Sequence, residues 1–383
     1  MRKMRRKNAA PKRRARSVRQ GAGRHTLEEI LSQPATWAET AQRLEQRSTL
    51  EELSRNFSAE RPWLFLACGS SYYLSQLVAE VWEKYFSIPC AAAPASEFLF
   101  APGEMLRRTG ARQVVLVSRS GETTEVLRAG EVLRGHGEIR TLGVTCNTGG
   151  PLEKLCAQMM RLRWADEKST VMTRSFTAML LAFQRLGARL AKREEIASAL
   201  DGLPGKVQPW LAENAAKIQT FAAKRRFEDY VFLGQGAHYW LAQEAALKIT
   251  EMAASYAQAY HMLEFRHGPR AIAGRDMLIT FFVSDAAAEE EAALAGELQA
   301  LGAATMVICN RATPGLKRRS DLLVELGLEE PEFARLAPMA IPAHLLGTAV
   351  GLRKGLNPDR PKNLTRAVVL GGNGSGATRR RGA

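Results

Sequence analysis

Three short stretches carry the side chains able to do chemistry. After the apolar run 114–117 comes Ser118-Arg119-Ser120-Gly121-Glu122-Thr123-Thr124, a turn of small and hydroxyl-bearing residues that opens a helix. A buried strand ending there delivers hydroxyls, the N–H groups of a helix N-terminus and one arginine to a single point, which suits a phosphate dianion. The chain has no GxxxxGK[ST] pattern, and the loop is not GxGxxG. The second stretch places Glu244, Lys248 and Glu251 at steps of four and three residues, so one helix face sets an ammonium between two carboxylates. On its own, that spacing is most often surface ion pairing. The third is the turn His267-Gly268-Pro269, with Glu264 three residues before the histidine.

The elements around these residues form a pattern. WLFLACGSS, 63–71, reads as strand and glycine turn, and a helix follows to Phe86 with Leu74, Leu77, Val78, Val81 and Trp82 on one face. A short strand at 90–93, a central strand at 114–118 with its helix at 124–134, and a strand at 141–147 continue the series. Ligands of open parallel sheets collect outside the carboxyl ends of the strands, where Ser70, Ser118, Ser120, Thr123 and Thr145 fall. Asp166 and Glu167 precede a hydroxyl-rich turn and a helix that buries Phe176, Met179, Leu180 and Phe183. Upstream, apolar spacing predicts a helix across 35–55, with Pro34 breaking or starting it.

The second half repeats the first. DGLPGKVQPW, 201–210, reads as an interdomain linker from its two prolines and two glycines. VFLGQGAHYWLAQEAALKITEM then mirrors FLACGSSYYLSQLVAEVWEKYF, and LITFFVSDAAAEEE mirrors VVLVSRSGETTEV, which makes the chain a tandem duplication. A helix at 286–302, strands near 305–309 and 322–326, and a helix at 334–354 ending at Gly355 complete it. Ser284, Asp285, Ala286 and Ala287 stand where the first copy has Ser118, Arg119, Ser120 and Gly121. A carboxylate there repels phosphate, so one phosphate site per chain is expected.

Composition narrows the class. The net charge of +15 sits almost wholly in residues 1–24, with 11 Arg or Lys and no acid, and in Arg379, Arg380 and Arg381. The body between is nearly neutral, so specific nucleic-acid binding is not expected and both ends, 1–24 and 371–383, read as disordered tails. No run reaches the roughly 18 uninterrupted apolar residues of a membrane span. Five scattered cysteines without CxxC fit a reducing, cytoplasmic compartment, and with dispersed histidines and no HExxH no metal is expected.

SRSGET and CGSS resemble the S-x-S-G-x-T and C-G-T/S-S motifs of sugar isomerase (SIS) domains, and the motif order follows that family's two-domain arrangement over roughly residues 25–370. The resemblance implies an α/β fold of two tandem SIS domains, each a parallel-sheet three-layer sandwich of flavodoxin-like type, over 25–200 and 211–355, with 356–370 folding over the active site. It further implies contact between a sugar phosphate and Gly69, Ser70, Ser71, Ser118, Arg119, Ser120, Thr123, Thr173, Arg174 and Arg366. E-x-A-L-K-x-x-E resembles the catalytic helix of glucosamine-6-phosphate synthase's isomerase domain and its deaminase relatives, giving Glu251 the proton transfer, Lys248 its orientation and Glu244 a structural part. His267 takes ring opening, reached from the neighbouring subunit of a homodimer. The implied activity is metal-independent and cofactor-free deamination of glucosamine-6-phosphate through an enolamine. The alternatives are aldose–ketose isomerisation without ammonia release and non-enzymatic phosphosugar sensing. A synthase is disfavoured, because Arg366 stands where that enzyme has its Schiff-base lysine, no glutaminase domain precedes it, and a guanidinium with pKa above about 12 supplies no neutral amine.

Overall fold

The computed structural model describes residues 21–370, so the tail readings lie outside the described residues for 1–20 and 371–383, whereas 21–24, read as the end of the first tail, form a turn and the start of a helix, with the Gly23 N–H donating to Asn357 Oδ1 at 3.0 Å. Three helices lead in: α1 (Arg24–Leu31), α2 (Gln33–Gln46) and α3 (Thr49–Asn56). The single helix expected over 35–55 is therefore two. Pro34 occupies the first turn of α2, where its missing N–H has no intrahelical partner to lose, and Ser48 at φ 50° turns the chain between α2 and α3.

The first domain alternates β1 (Trp63–Ala67), α4 (Ser70–Phe86), β2 (Cys90–Pro94), α5 (Ala95–Phe100), α6 (Pro102–Thr109), β3 (Gln113–Val117), α7 (Thr124–Leu133), β4 (Arg140–Thr145) and β5 (Gln158–Arg161). It closes with α8 (Arg174–Leu190) and α9 (Glu194–Asp201). The strands form one parallel sheet in the order β2-β1-β3-β4-β5. Every residue of β1 and β3 is buried, as expected of parallel strands covered on both faces. Ala67 pairs with Val117 and Val117 with Val144, so the loops after β1, β3 and β4 leave the sheet at one edge.

The 201–210 stretch is not an irregular linker. Helix α10 runs Leu203–Lys224, with Pro204 in its first turn and Val207 and Leu211 buried on one face, so apolar spacing outweighs the proline and glycine content. The second domain follows as β6 (Asp229–Gly234), α11 (Ala237–Ala253), β7 (Ala257–His261), β8 (Met277–Phe282), α12 (Ala288–Ala300), β9 (Ala304–Cys309), α13 (Pro314–Arg318), β10 (Leu322–Glu325) and α14 (Leu336–Arg353). Its parallel sheet, β7-β6-β8-β9-β10, has the first sheet's order, which establishes the duplication at the level of topology. The turns after β1 and β6 match in detail: Gly69 and Gly236 take φ 56° and 52°, a left-handed conformation that a side chain would strain.

Helices α4, α8, α11 and α14 pack between the two sheets. The closest approach is α11 on α14, where a Cβ at Gly351 would lie 2.3 Å from the Met252 carbonyl oxygen. The segment Glu332–Arg353 is long and apolar enough to cross a membrane, but 94% of its apolar window is buried inside the protein, as in a core helix.

Candidate active site

Ser118, Ser120 and Thr123 converge at the N-terminus of α7. Ser118 Oγ lies 3.3 Å from Ser120 Oγ and 2.9 Å from Thr123 Oγ1, and Ser118 and Ser120 accept from the N–H groups of Gly121 and Glu122 at 3.1 and 3.2 Å. Gly121 takes φ 70°, which folds the loop back on itself. Three hydroxyls thus have only one another and loop N–H groups as partners, at the positive end of a helix dipole. Thr145, expected among the ligand groups, instead props the loop: its buried hydroxyl donates to the Arg119 carbonyl at 3.0 Å.

The arginines near this loop are engaged by the protein. The buried guanidinium of Arg119 donates to Glu167 and the Val171 carbonyl at 3.1 Å, to the Thr170 carbonyl at 2.8 Å and to the Arg366 carbonyl at 3.3 Å. Arg174 donates to the Asp166 carbonyl at 3.0 Å and to Ser32 Oγ at 3.3 Å. Arg366 donates to the Glu167 carbonyl at 2.5 Å and pairs with the Asp166 carboxylate. Thr173, fully buried, gives its N–H and hydroxyl to Glu167 at 2.6 and 2.9 Å, so the Glu167 carboxylate, and not the Thr173 hydroxyl, serves the N-terminus of α8. Glu167 also accepts from the Ser175 hydroxyl. It is the hub of the loop, a part that the sequence did not disclose; a carboxylate six residues before a threonine at a helix start was the available signal.

The second cluster lies where α4 meets α11. Lys248 is fully buried, and its ammonium donates to Ser70 Oγ at 3.0 Å and to Glu251 Oε2 at 2.5 Å while standing 3.3 Å from Glu244. Burial disfavours that charge, but the carboxylates of Glu244 and Glu251 outweigh it and hold the lysine above its ordinary pKa. Burial pushes the Glu244 carboxyl up to about 7 against the pull of Lys248, and neither Glu244 oxygen is in hydrogen-bond geometry. Glu251 keeps 18% of its side chain exposed, toward a cavity of about 710 Å³ whose far wall is Asn357, Arg360, Lys362 and Leu364. Ser71 points inward, to Met172 Sδ at 3.6 Å.

His267 is exposed on the second domain, after a short helical turn at Leu263–Arg266, and is absent from the walls of the Glu251 cavity. Glu264 meets it only through the backbone, as acceptor of the His267 N–H at 2.9 Å. The chain beyond α14 runs from the Glu251 cavity to the hydroxyl loop: the Thr124 N–H donates to the Val368 carbonyl at 3.1 Å, and the Leu370 N–H donates to Thr124 Oγ1 at 2.9 Å. Among the described residues no group of three His, Cys, Asp or Glu side chains is placed to hold a metal ion.

A family model described as SIS domain matches residues 57–189 and 227–345. The glutamine–fructose-6-phosphate aminotransferase (isomerizing) of Acidithiobacillus ferridurans is 32% identical over 325 residues, which cover 80% of this chain and 51% of that protein. The same enzyme of Gloeobacter violaceus is 28% identical over 318 residues, with the same coverage of 80% and 51%. The chain thus spans about half the length of these relatives. A crystal structure of glucosamine-6-phosphate deaminase from Thermotoga maritima superposes with a TM-score of 0.73 at 28% identity, covering 90% of this chain and all of that one. Tagatose-6-phosphate ketose/aldose isomerase from Escherichia coli, at 20% identity and a TM-score of 0.78 over 93% of this chain and 98% of its own, shares the fold.

Proposed function

This chain belongs to the SIS domain family, and from that premise we propose that it is a cytoplasmic glucosamine-6-phosphate deaminase working without metal or cofactor. The observation that carries the reading is the buried Lys248 ammonium, which ties Ser70 of the first domain to Glu251 of the second beside an open cavity. A proton next to a carbonyl or imine is removed by a carboxylate held in place, and Lys248 holds this one as the anion. The Thermotoga maritima deaminase, matched over its whole length, supports the same direction.

In this mechanism Ser118, Ser120, Thr123 and the α7 N-terminus anchor the phosphate, so binding energy at the far end of the sugar orients the reacting end. The partner subunit's His267 opens the ring. Glu251 takes the C2 proton, leaving an enolamine, and returns it at C1. Water then adds to the resulting C2=N bond, oxygen stays on carbon, and nitrogen leaves as ammonia. Arg366 takes no covalent part, since its guanidinium is held by Asp166 and Glu167.

The test is ammonia release from glucosamine-6-phosphate. Glu251→Gln is expected to lose about 10³-fold or more, the upper range for a general base. His267→Ala loses activity in its own homodimer, and mixing the two variants restores part of it, because each mixed dimer assembles one intact site. Exchange of the C2 proton with solvent without ammonia would convert the reading to an isomerase. Binding with neither would leave a sensor.

A further inference from the structure

Two ionisable side chains in the core between the sheets lack hydrogen-bond partners. Glu244 is 1% exposed and His344 0%, and among the described residues neither oxygen of the carboxylate and neither nitrogen of the imidazole is paired. Leaving one buried polar group unpaired is destabilising, and here an acceptor and a donor are left so on facing helices. His344, Gly347 and Gly351 lie on one face of α14. A Cβ at Gly347 would be 3.3 Å from the Lys248 carbonyl oxygen, and one at Gly351 2.3 Å from that of Met252. Helices α11 and α14 therefore run side by side in the same direction, in equal steps of four residues. The Thr348 hydroxyl, which donates to Met252 Sδ at 3.5 Å, keeps the same register. One turn earlier, His344 stands level with Glu244 and Lys248. From α8, Phe176 closes the space by meeting the imidazole edge to face, with ring centroids 6.5 Å apart.

Burial and the Lys248 ammonium push the imidazole down to about 3, so it is neutral and carries one N–H donor. The charged and titratable groups around Glu244 are Lys248 and Glu251 on α11, Tyr73 on α4 and His344 on α14. Lys248 stands 3.3 Å from Glu244 but gives its hydrogen bonds to Ser70 and Glu251. Tyr73 is only half-buried. His344 is thus the fully buried donor at the level of Glu244.

We infer that His344 is a positioning residue for the base: its N–H, directly or through one buried water, holds Glu244 as the carboxylate, so that Lys248 is shared between two carboxylates and Glu251 stays free to take a proton. The pairing is a property of the fold. Its effect on turnover rests on the deaminase reading. With Glu244 protonated, Lys248 would turn wholly to Glu251, and a carboxylate in a closed ion pair is a weaker base.

The experiment titrates the Glu244 carboxyl by infrared spectroscopy in the unmodified protein, His344→Leu and His344→Gln, with Glu244→Gln identifying its band. A hydrogen bond to a carboxylate moves its titration by about 1 to 2 pH units. Burial against the pull of Lys248 sets the carboxyl at about 7, so the midpoint is expected below that in the unmodified protein. It rises by the stated amount in His344→Leu and returns in His344→Gln, whose amide restores an N–H. With glucosamine-6-phosphate at pH 7, His344→Leu loses about 3- to 10-fold in kcat with KM unchanged, and His344→Gln recovers most of it. A midpoint at or above about 7 in the unmodified protein overturns the inference without any variant. Equal midpoints in the three proteins, or a loss of kcat that His344→Gln does not recover, overturn it as well and reduce His344 to packing on Phe176. Failure of the deaminase reading looks different: the midpoints move as expected, yet none of the proteins releases ammonia.

Discussion

The loop after β3 and the loop after β8 occupy the same place in two copies of one fold, and they meet negative charge in opposite ways. The first presents Ser118, Ser120 and Thr123 to one another and leaves the place of an anion to a ligand. The second is supplied with anions by the chain itself. The Ser284 N–H donates to Glu291 at 3.0 Å, the Asp285 N–H donates to Glu332 at 3.0 Å, and Asp285 pairs with Arg335 at 3.0 Å. Lys84 and Tyr85 of the first domain also reach Glu332, at 3.3 and 3.0 Å. One copy leaves its hydroxyls to one another, and the other uses the same backbone to fasten the two domains together.

The comparison breaks most completely at Arg119, the basic residue whose counterpart in the second copy is Asp285. Its pair with Glu167 is buried, at 5% and 0% exposure, whereas Asp285 is 52% exposed in its pair with Arg335. Arg119→Met leaves Glu167 charged and unpaired, so a loss of about 3–5 kcal/mol in unfolding free energy is expected, together with phosphosugar binding. Asp285→Asn should cost about 1 kcal/mol or less in denaturant melts, as for partly exposed pairs. Equal losses would mean that the two loops are braced alike.

Next in size is Ser120→Asp, which gives the first loop the charge of the second. It should lower glucosamine-6-phosphate affinity by about 100-fold or more through like-charge repulsion while leaving the melting temperature within a few degrees. The reciprocal Asp285→Ser should leave binding stoichiometry at one per chain, since Glu291 and Glu332 still occupy the second loop. A second equivalent of bound phosphosugar would show that Asp285 alone had closed it.

Much of this division was legible in the sequence, because it lies in residue types at fixed distances from apolar strands. β1, β3, β6 and β8 are continuous apolar runs followed by small-residue turns, and the replacement of Arg119 by Asp285 is visible in the aligned copies. β5 and β7 escaped, being edge strands that are only partly buried, so that QMMR and AQAYH carry no clear apolar period. The helix over 203–210 escaped because proline and glycine were weighed above the buried spacing of Leu203, Val207 and Leu211. In the site, the mutual position of Ser118, Ser120 and Thr123 follows from the sequence, because short side chains cannot travel far from their backbone. The partners of Arg119, Arg174 and Arg366 do not, since a guanidinium reaches several ångströms in any direction and its destination depends on carboxylates and carbonyls far away in sequence.

A third prediction concerns Glu291, whose carboxyl is pushed up to about 8 by burial, against the bonds from Ser284. A folded-state pKa above the ordinary value means that the fold prefers the protonated acid. Stability therefore falls as pH rises from about 4.5 and levels off past 8. Glu291→Gln removes this titration. Its advantage over the unmodified protein in thermal melts should be near zero at pH 5 and grow to about 2 kcal/mol by pH 8. A flat difference across that range would place the Glu291 carboxylate in contact with solvent or a cation.

Glu332 should show the opposite sign and the smallest effect. Burial raises its pKa, but His238 when protonated, the Asp285 N–H, Lys84 and Tyr85 hold it down at about 2, although burial also makes the His238 charge harder to keep. A depressed pKa stabilises the fold above the ordinary carboxylate range, and that stability is lost as pH falls through the folded value. Glu332→Gln should thus be less stable than the unmodified protein by about 1 kcal/mol at pH 7, a figure reduced for solvent around the Lys84 ammonium. The deficit should shrink below pH 4.5 and vanish near pH 2. If it stays constant over that interval, Glu332 serves the second loop as a neutral hydrogen-bond acceptor would.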